Sequence, residues 1–206
     1  MPKSKYAKGA VKREEILDAT LKMIAQHGYN AVTIRTVAEQ AGLSKTGVVH
    51  HFASKQELLT EALARRDEWG ADETGLDEPA TFFDRLRESL VGDVAARGLI
   101  ELYVRLLAES AQPGTAAHDF FTLRYKGADE RGVAIWRQLQ DAGRCPQGID
   151  AHLLSVILMS LLDGLQMRLL YDPSIDITSV IDALQILVEG AAEAEFVRDV
   201  SPASRA

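Results

Sequence analysis

The chain is poor in the residues that staple or interrupt a fold. It has one cysteine, Cys145, in 206 residues. An internal disulfide framework is therefore impossible, as is a zinc site of four thiolates. Such usage points to a cytoplasmic protein. Proline (6) and glycine (15) are too few for a collagen-like or low-complexity chain. Strand signals are nearly absent, with no sustained alternation of apolar and polar residues. The most apolar run, Leu153 to Leu162, is interrupted by Ser155 and Ser160. It falls short of the roughly 20 residues that span a bilayer and reads as a buried helix, with no membrane partner. Met1 to Ala10 is polar and basic, unlike a secretory signal. No Gly-rich phosphate loop, nucleophile elbow or metal-spaced His/Glu set appears, so neither an enzyme nor a cofactor is expected. His50 and His51 are adjacent and diverge on a helix, and Cys145 has no nearby histidine.

What is present is ordinary for a globular protein: 47% hydrophobic and 26% charged residues. Charge, however, is divided unevenly. The net charge is −7, yet the stretch to Lys55 holds nine basic and four acidic residues, against 14 and 26 beyond it. A small basic head on a larger acidic body suggests a polyanion partner for the head alone.

Helical periodicity recurs throughout. Ile16, Leu17, Thr20, Leu21, Met23 and Ile24 make one apolar face, closed by Gly28. Ser54-Lys55-Gln56-Glu57 has the form of a capping box ahead of Leu58, Leu59, Ala62 and Leu63. Pro79, Pro113, Pro146 and Pro173 punctuate the rest of the chain. The expected fold is all-α, with about nine helices near 10–28, 33–41, 44–51, 55–70, 79–96, 98–111, 115–143, 150–171 and 176–198.

Thr33 to Phe52 reads as helix, tight turn, helix. Val37, Ala41, Leu43 and Val48 would pack the two short helices on a third, Ala38 permits close approach, and Gly42 supplies a positive φ. Ser44 can cap the second helix. This is a helix-turn-helix, whose second helix lies in the DNA major groove. The stretch from about Val11 to Leu63 resembles the TetR family of bacterial repressors. The likeness rests on Thr33, Ile34, Val37, Ala38, Ala41-Gly42-Leu43-Ser44-Lys45, His51-Phe52 and Ser54-Lys55-Gln56-Glu57-Leu58-Leu59. One position departs: the family usually has Tyr two residues before the His-Phe pair, where this chain has Val49. His50 or Lys55 is the candidate to replace the backbone contact of that tyrosine.

The resemblance implies a DNA-binding domain at 9–55, a connecting helix at 55–70, and a ligand-binding and dimerisation domain at 71–206. Lys45, Thr46 and Gly47 would face base edges, with His50 one turn beyond Thr46. Arg35 could grip a guanine edge or a phosphate. Thr33, Ser44, His51 and Lys55 suit phosphates, Thr33 as a cap first and His51 partly as a packing residue against the first helix.

Beyond Lys55, Trp69, Phe82, Phe83, Tyr103, Phe120, Phe121, Tyr125 and Trp136 are either core or the lining of an apolar cavity for a small effector. Arg105, Glu109, Arg124 and Gln166 could orient such a ligand. Leu154, Leu158, Leu161 and Leu165, with Leu184 and Leu187 on the last helix, offer more apolar surface than one chain needs and suggest a homodimer. Ser160 and Gly164 allow another helix to approach. Leu161 to Leu165 with Tyr171-Asp172-Pro173 also looks like BetI-type members of the family. The expected function is a dimeric repressor of a palindromic operator, released by an apolar or aromatic effector. The alternatives are an architectural DNA protein without an effector, or a helical enzyme.

Overall fold

The structure, a computed structural model, describes residues 3–73, 78–94 and 97–200, and the side chains of 9–67, 78–91 and 97–194. Among the described residues there are nine α-helices and no strand. They are α1 (Lys3–His27), α2 (Ile34–Gln40), α3 (Lys45–His51), α4 (Lys55–Glu73), α5 (Phe82–Val94), α6 (Arg97–Glu109), α7 (Ala116–Asp141), α8 (Ala151–Tyr171) and α9 (Ile177–Val200). A single 3-10 turn, Tyr29–Ala31, follows α1. Helix α1 starts seven residues earlier than its apolar periodicity suggests. Helix α5 starts later than Pro79, after a turn in which the Thr81 N–H bonds the Glu78 carbonyl.

The chain divides into two compact units. The first comprises Met1–Asp72 and Asp93–Thr122. Its core buries Ile16, Leu17, Leu21 and Ile24 of α1 together with Val37 and Ala38 of α2, Val48 of α3, Phe52, and Leu58, Leu59 and Leu63 of α4. Gly28 ends α1 at φ +77°. Arg65 pairs with Glu14 and Asp18, and Arg13 with Glu61, holding α4 along α1. Helix α6 passes the end of α1 at Gly98. A Cβ there would stand 2.3 Å from the Ile24 carbonyl oxygen and 3.2 Å from the Gly28 Cα. Only glycine permits this approach.

The second unit comprises Glu73–Gly92 and Leu123–Ala206. Phe82, Phe83, Leu86 and Leu90 of α5 are buried in it, as are Ile135, Trp136 and Leu139 of α7 and Ile177 and Ile181 of α9. Asp150 caps α8, accepting from the N–H groups of His152 (2.9 Å) and Leu153 (3.3 Å). Arg144 donates to Glu189 at 2.7 Å, and Arg87 to Asp182 at 2.9 Å.

Of the leucines expected at a dimer face, three on α8 lie inside the protomer. Leu154, Leu158 and Leu165 are buried within the second unit. Leu161 and Leu184 are half-buried, and Leu187 is 70% exposed. The apolar side chains left outside on α8 are instead Leu153, Val156, Ile157 and Met167. The helix is apolar around most of its circumference, so periodicity alone could not say which side the protomer uses. For the same reason it is not simply a buried helix. It is long and apolar enough to cross a membrane, with only 28% of its most apolar stretch buried. Its inner face is nevertheless committed to the protein, and Tyr125 donates to its Asp163.

Candidate nucleic-acid interface

The head is built from short helices whose ends are satisfied locally. Thr33 is the N-cap of α2. Its hydroxyl accepts the Thr36 N–H at 3.1 Å, while the Thr36 hydroxyl accepts the Thr33 N–H at 2.9 Å. Gly42 turns the chain at φ +64°. Ser44 then caps α3, accepting the Gly47 N–H at 3.0 Å. Before α4, Ser54 accepts the Glu57 N–H at 3.0 Å. Glu57 reaches back as in a capping box, but bonds the N–H of Ala53 at 2.7 Å, one residue before the cap itself. These bonds satisfy donors that a helix start leaves open, so the exposed face of α3 is held in place from both ends.

That face consists of Lys45, Thr46, Val49 and His50, all exposed, with Gly47 and His51 half-buried and Val48 fully buried. Nothing in the protein demands glycine at 47. A Cβ would sit 3.4 Å from Ser44 Oγ, a contact the protein could absorb with a small shift. The His51 ring meets the His50 ring edge-on at 5.6 Å. It is Phe52 that fills the core beside α1, with the Arg13 guanidinium 4.6 Å above its ring.

Arg35 is 83% exposed and donates to Glu39 at 2.9 Å on its own helix. Such an i,i+4 surface pair is worth about 0.3–0.5 kcal/mol, so the guanidinium is easily diverted to a phosphate or guanine. Lys55 is placed differently. Its Nζ lies 4.8 Å above the centre of the Tyr29 ring, and the Arg105 guanidinium lies 4.7 Å from that same centre. Burial, and then the Arg105 charge, push the Lys55 ammonium below its ordinary value, while Glu109 opposes them. Burial, then Glu109, push the Tyr29 phenol up.

Arg105 and Glu109, read from the sequence as ligand-orienting groups, are therefore engaged in the first unit. Arg105 also pairs with Glu101 at 2.8 Å, and Glu109 accepts from Gln56 at 3.0 Å. No local sequence signal marks Tyr29 as their meeting point.

The aromatic residues form two separate groups. Tyr103 and Phe121 meet at 5.3 Å and Phe120 and Phe121 at 5.0 Å, all in the first unit. In the second unit Phe82 lies 5.1 Å from Phe83 and 5.6 Å from Trp136, each edge-to-face. Trp136 is buried, and its indole N–H has no hydrogen-bond partner among the described residues. Gln166 is half-buried. The side chain of Trp69 lies outside the described residues.

Known proteins share these features. Residues 16–62 match the family described as bacterial regulatory proteins, tetR family. The HTH-type transcriptional repressor AcnR of Corynebacterium diphtheriae is 27% identical over 189 residues, covering 82% of this chain and 86% of its own. The HTH-type transcriptional repressor KstR of Rhodococcus jostii is 46% identical over 57 residues, 28% of this chain and 27% of its own. A TetR transcription regulator from Haloarcula marismortui has the same fold, with a TM-score of 0.70 at 22% identity over 90% of this chain and 98% of its own. Both relatives are named as transcriptional repressors. The head of this chain, residues 16–62, is thus similar to the tetR family of bacterial regulatory proteins.

Proposed function

We propose that the protein is a dimeric, cytoplasmic repressor that holds a near-palindromic operator and leaves it when a small effector binds. The observation that carries this reading is the coexistence of two outward surfaces of opposite chemistry. One is the face of α3 with Lys45, Thr46 and His50. The other is the apolar stripe of Leu153, Ile157 and Gly164 on α8, and of Ala183, Ile186, Leu187 and Gly190 on α9. A Cβ at Gly164 or Gly190 would meet nothing within 4 Å, so both positions are open to a second helix pair. Two copies joined through these stripes would present two recognition helices, and two-fold symmetry calls for two half-sites about 34–36 Å apart.

Within α3, Lys45, Thr46 and Gly47 face bases and His50 extends the reading by one turn. Arg35, Thr33, Ser44, His51 and Lys55 hold phosphates. The effector is apolar or aromatic and of drug size, taken by the Phe82, Phe83 and Trp136 group, whose buried, unmatched indole N–H favours a molecule with one acceptor oxygen. By linkage, operator DNA must weaken the effector by the factor that the effector weakens DNA.

Titration of a selected duplex at several salt concentrations tests the DNA half. Affinity should fall steeply with salt as phosphate contacts release counterions, and a flat response would overturn it. A Trp69→Phe variant leaves Trp136 as the reporter for effector screening. Quenching and loss of operator affinity should occur over the same concentrations. A ligand with equal affinity for free and DNA-bound protein would refute the release mechanism while leaving DNA binding intact.

A further inference from the structure

Between residues 9 and 67 the large apolar side chains left exposed are Val11 and Val49, and Val49 stands on the recognition helix at 45% exposure. A lone exposed valine is commonplace. The position of this one is not. Successive residues of a helix are turned by about 100°, which places Val49 about 40° from Lys45 and about 60° from Thr46, between the two and within the arc that ends at His50. Every neighbour on that arc is polar and exposed, whereas Val48, about 100° round the helix from Val49 and outside the arc, is completely buried. The head therefore has no internal use for the Val49 side chain. A β-branched residue in a helix is also held close to one rotamer, so its two methyl groups are already aimed before DNA arrives.

An isopropyl group can neither donate nor accept a hydrogen bond. In the major groove the base feature complementary to it is the C5 methyl of thymine. We propose that Val49 is a specificity-determining residue that packs on a thymine methyl in each operator half-site, between the bases contacted by Lys45 and Thr46. This rests on the DNA-binding reading above. It assigns an apolar, base-reading task to a position where the family usually carries tyrosine.

The test uses the full-length protein and a duplex obtained by sequence selection. Each thymine is replaced in turn by deoxyuracil, which removes the methyl and keeps every hydrogen-bonding edge. One thymine per half-site should be sensitive, with a loss of about fourfold in affinity, the factor for one buried methyl group. Replacing it in both half-sites should cost about 15-fold if the two act independently. In Val49→Ala the sensitivity should disappear while the salt dependence stays as in the parent. A scan in which no thymine is sensitive, with salt-dependent binding intact, overturns the Val49 assignment alone. So does a sensitivity that persists in Val49→Ala. Failure to bind any duplex in a salt-dependent way overturns the DNA-binding reading, and this assignment with it.

Discussion

Lys55 holds its ammonium 4.8 Å above the ring of Tyr29, so a lysine suited to phosphate is also a structural partner of the turn after α1. The two groups titrate in opposite senses. Lys55 is depressed from 10.5, so its contribution to stability improves as pH climbs from its folded value towards 10.5. Tyr29 is raised from 10.0; above that pH the unfolded chain ionises first, and stability falls. Tyr29→Phe keeps the ring and removes the phenol. Its stability relative to the parent should therefore grow as pH passes upward through 10.0. Urea denaturation of both proteins at about pH 8 and about pH 10.5 checks this, and a difference that stays constant would contradict it.

Thr46 and Lys55 should fail in different ways. Thr46→Ala should cost about 1–3 kcal/mol on the preferred site and relax base preference there. Lys55→Ala should weaken all duplexes similarly and lower the salt slope by about 1. Equal losses of both variants on selected and random DNA would show that the division between base reading and backbone holding is wrong.

Charge placed on the two sides of α8 should have contrasting effects. Ile157→Arg, or Leu187→Arg on α9, puts a cation on a surface that is 56% or 70% exposed in one chain and should give folded monomers with collapsed operator affinity. Leu165→Arg buries an unpaired charge within the second unit and should cost several kcal/mol of folding stability. Light scattering with thermal melts separates the two outcomes. An intact dimer of Ile157→Arg and Leu187→Arg would show that these stripes are not the interface.

Gly98→Ala forces a methyl onto the Ile24 carbonyl. It should destabilise by about 1–3 kcal/mol, as overpacked sites do, seen as a lower denaturation midpoint. Gly164→Ala, with open space around it in the protomer, should leave the folding stability of a monomer nearly unchanged.

How far the sequence could be read depends on the range of the forces involved. Thr33, Gly42, Ser44 and Ser54 act on neighbours within a few residues, and their types and spacing state what they do. The family likeness covers that same segment. Helix α8 was legible as a helix but not as a helix with a direction, because Ile157 and Leu165 are equally apolar and only packing separates them. Arg105 and Glu109 were misplaced for a similar reason. Their partners Tyr29 and Gln56 are many residues away, and no local pattern links them. The aromatics were open between core and cavity lining, and tertiary packing collects Phe82, Phe83 and Trp136 in one unit and Tyr103, Phe120 and Phe121 in the other.

The first unit is discontinuous in sequence, because Asp93–Thr122 returns to it after Glu73–Gly92 has belonged elsewhere. No single proteolytic cut can therefore release a complete head. A fragment ending near Asp72 would keep α3 but lose α6, uncovering the backbone at Ile24 and removing Arg105 from Tyr29. The same holds for chimaeras that trade heads between regulators. Grafting residues 1–72 alone would set this α1 against a foreign α6, and any side chain there at the position of Gly98 would strike the Ile24 carbonyl. The portable module is the pair of segments, and it must be moved as a pair.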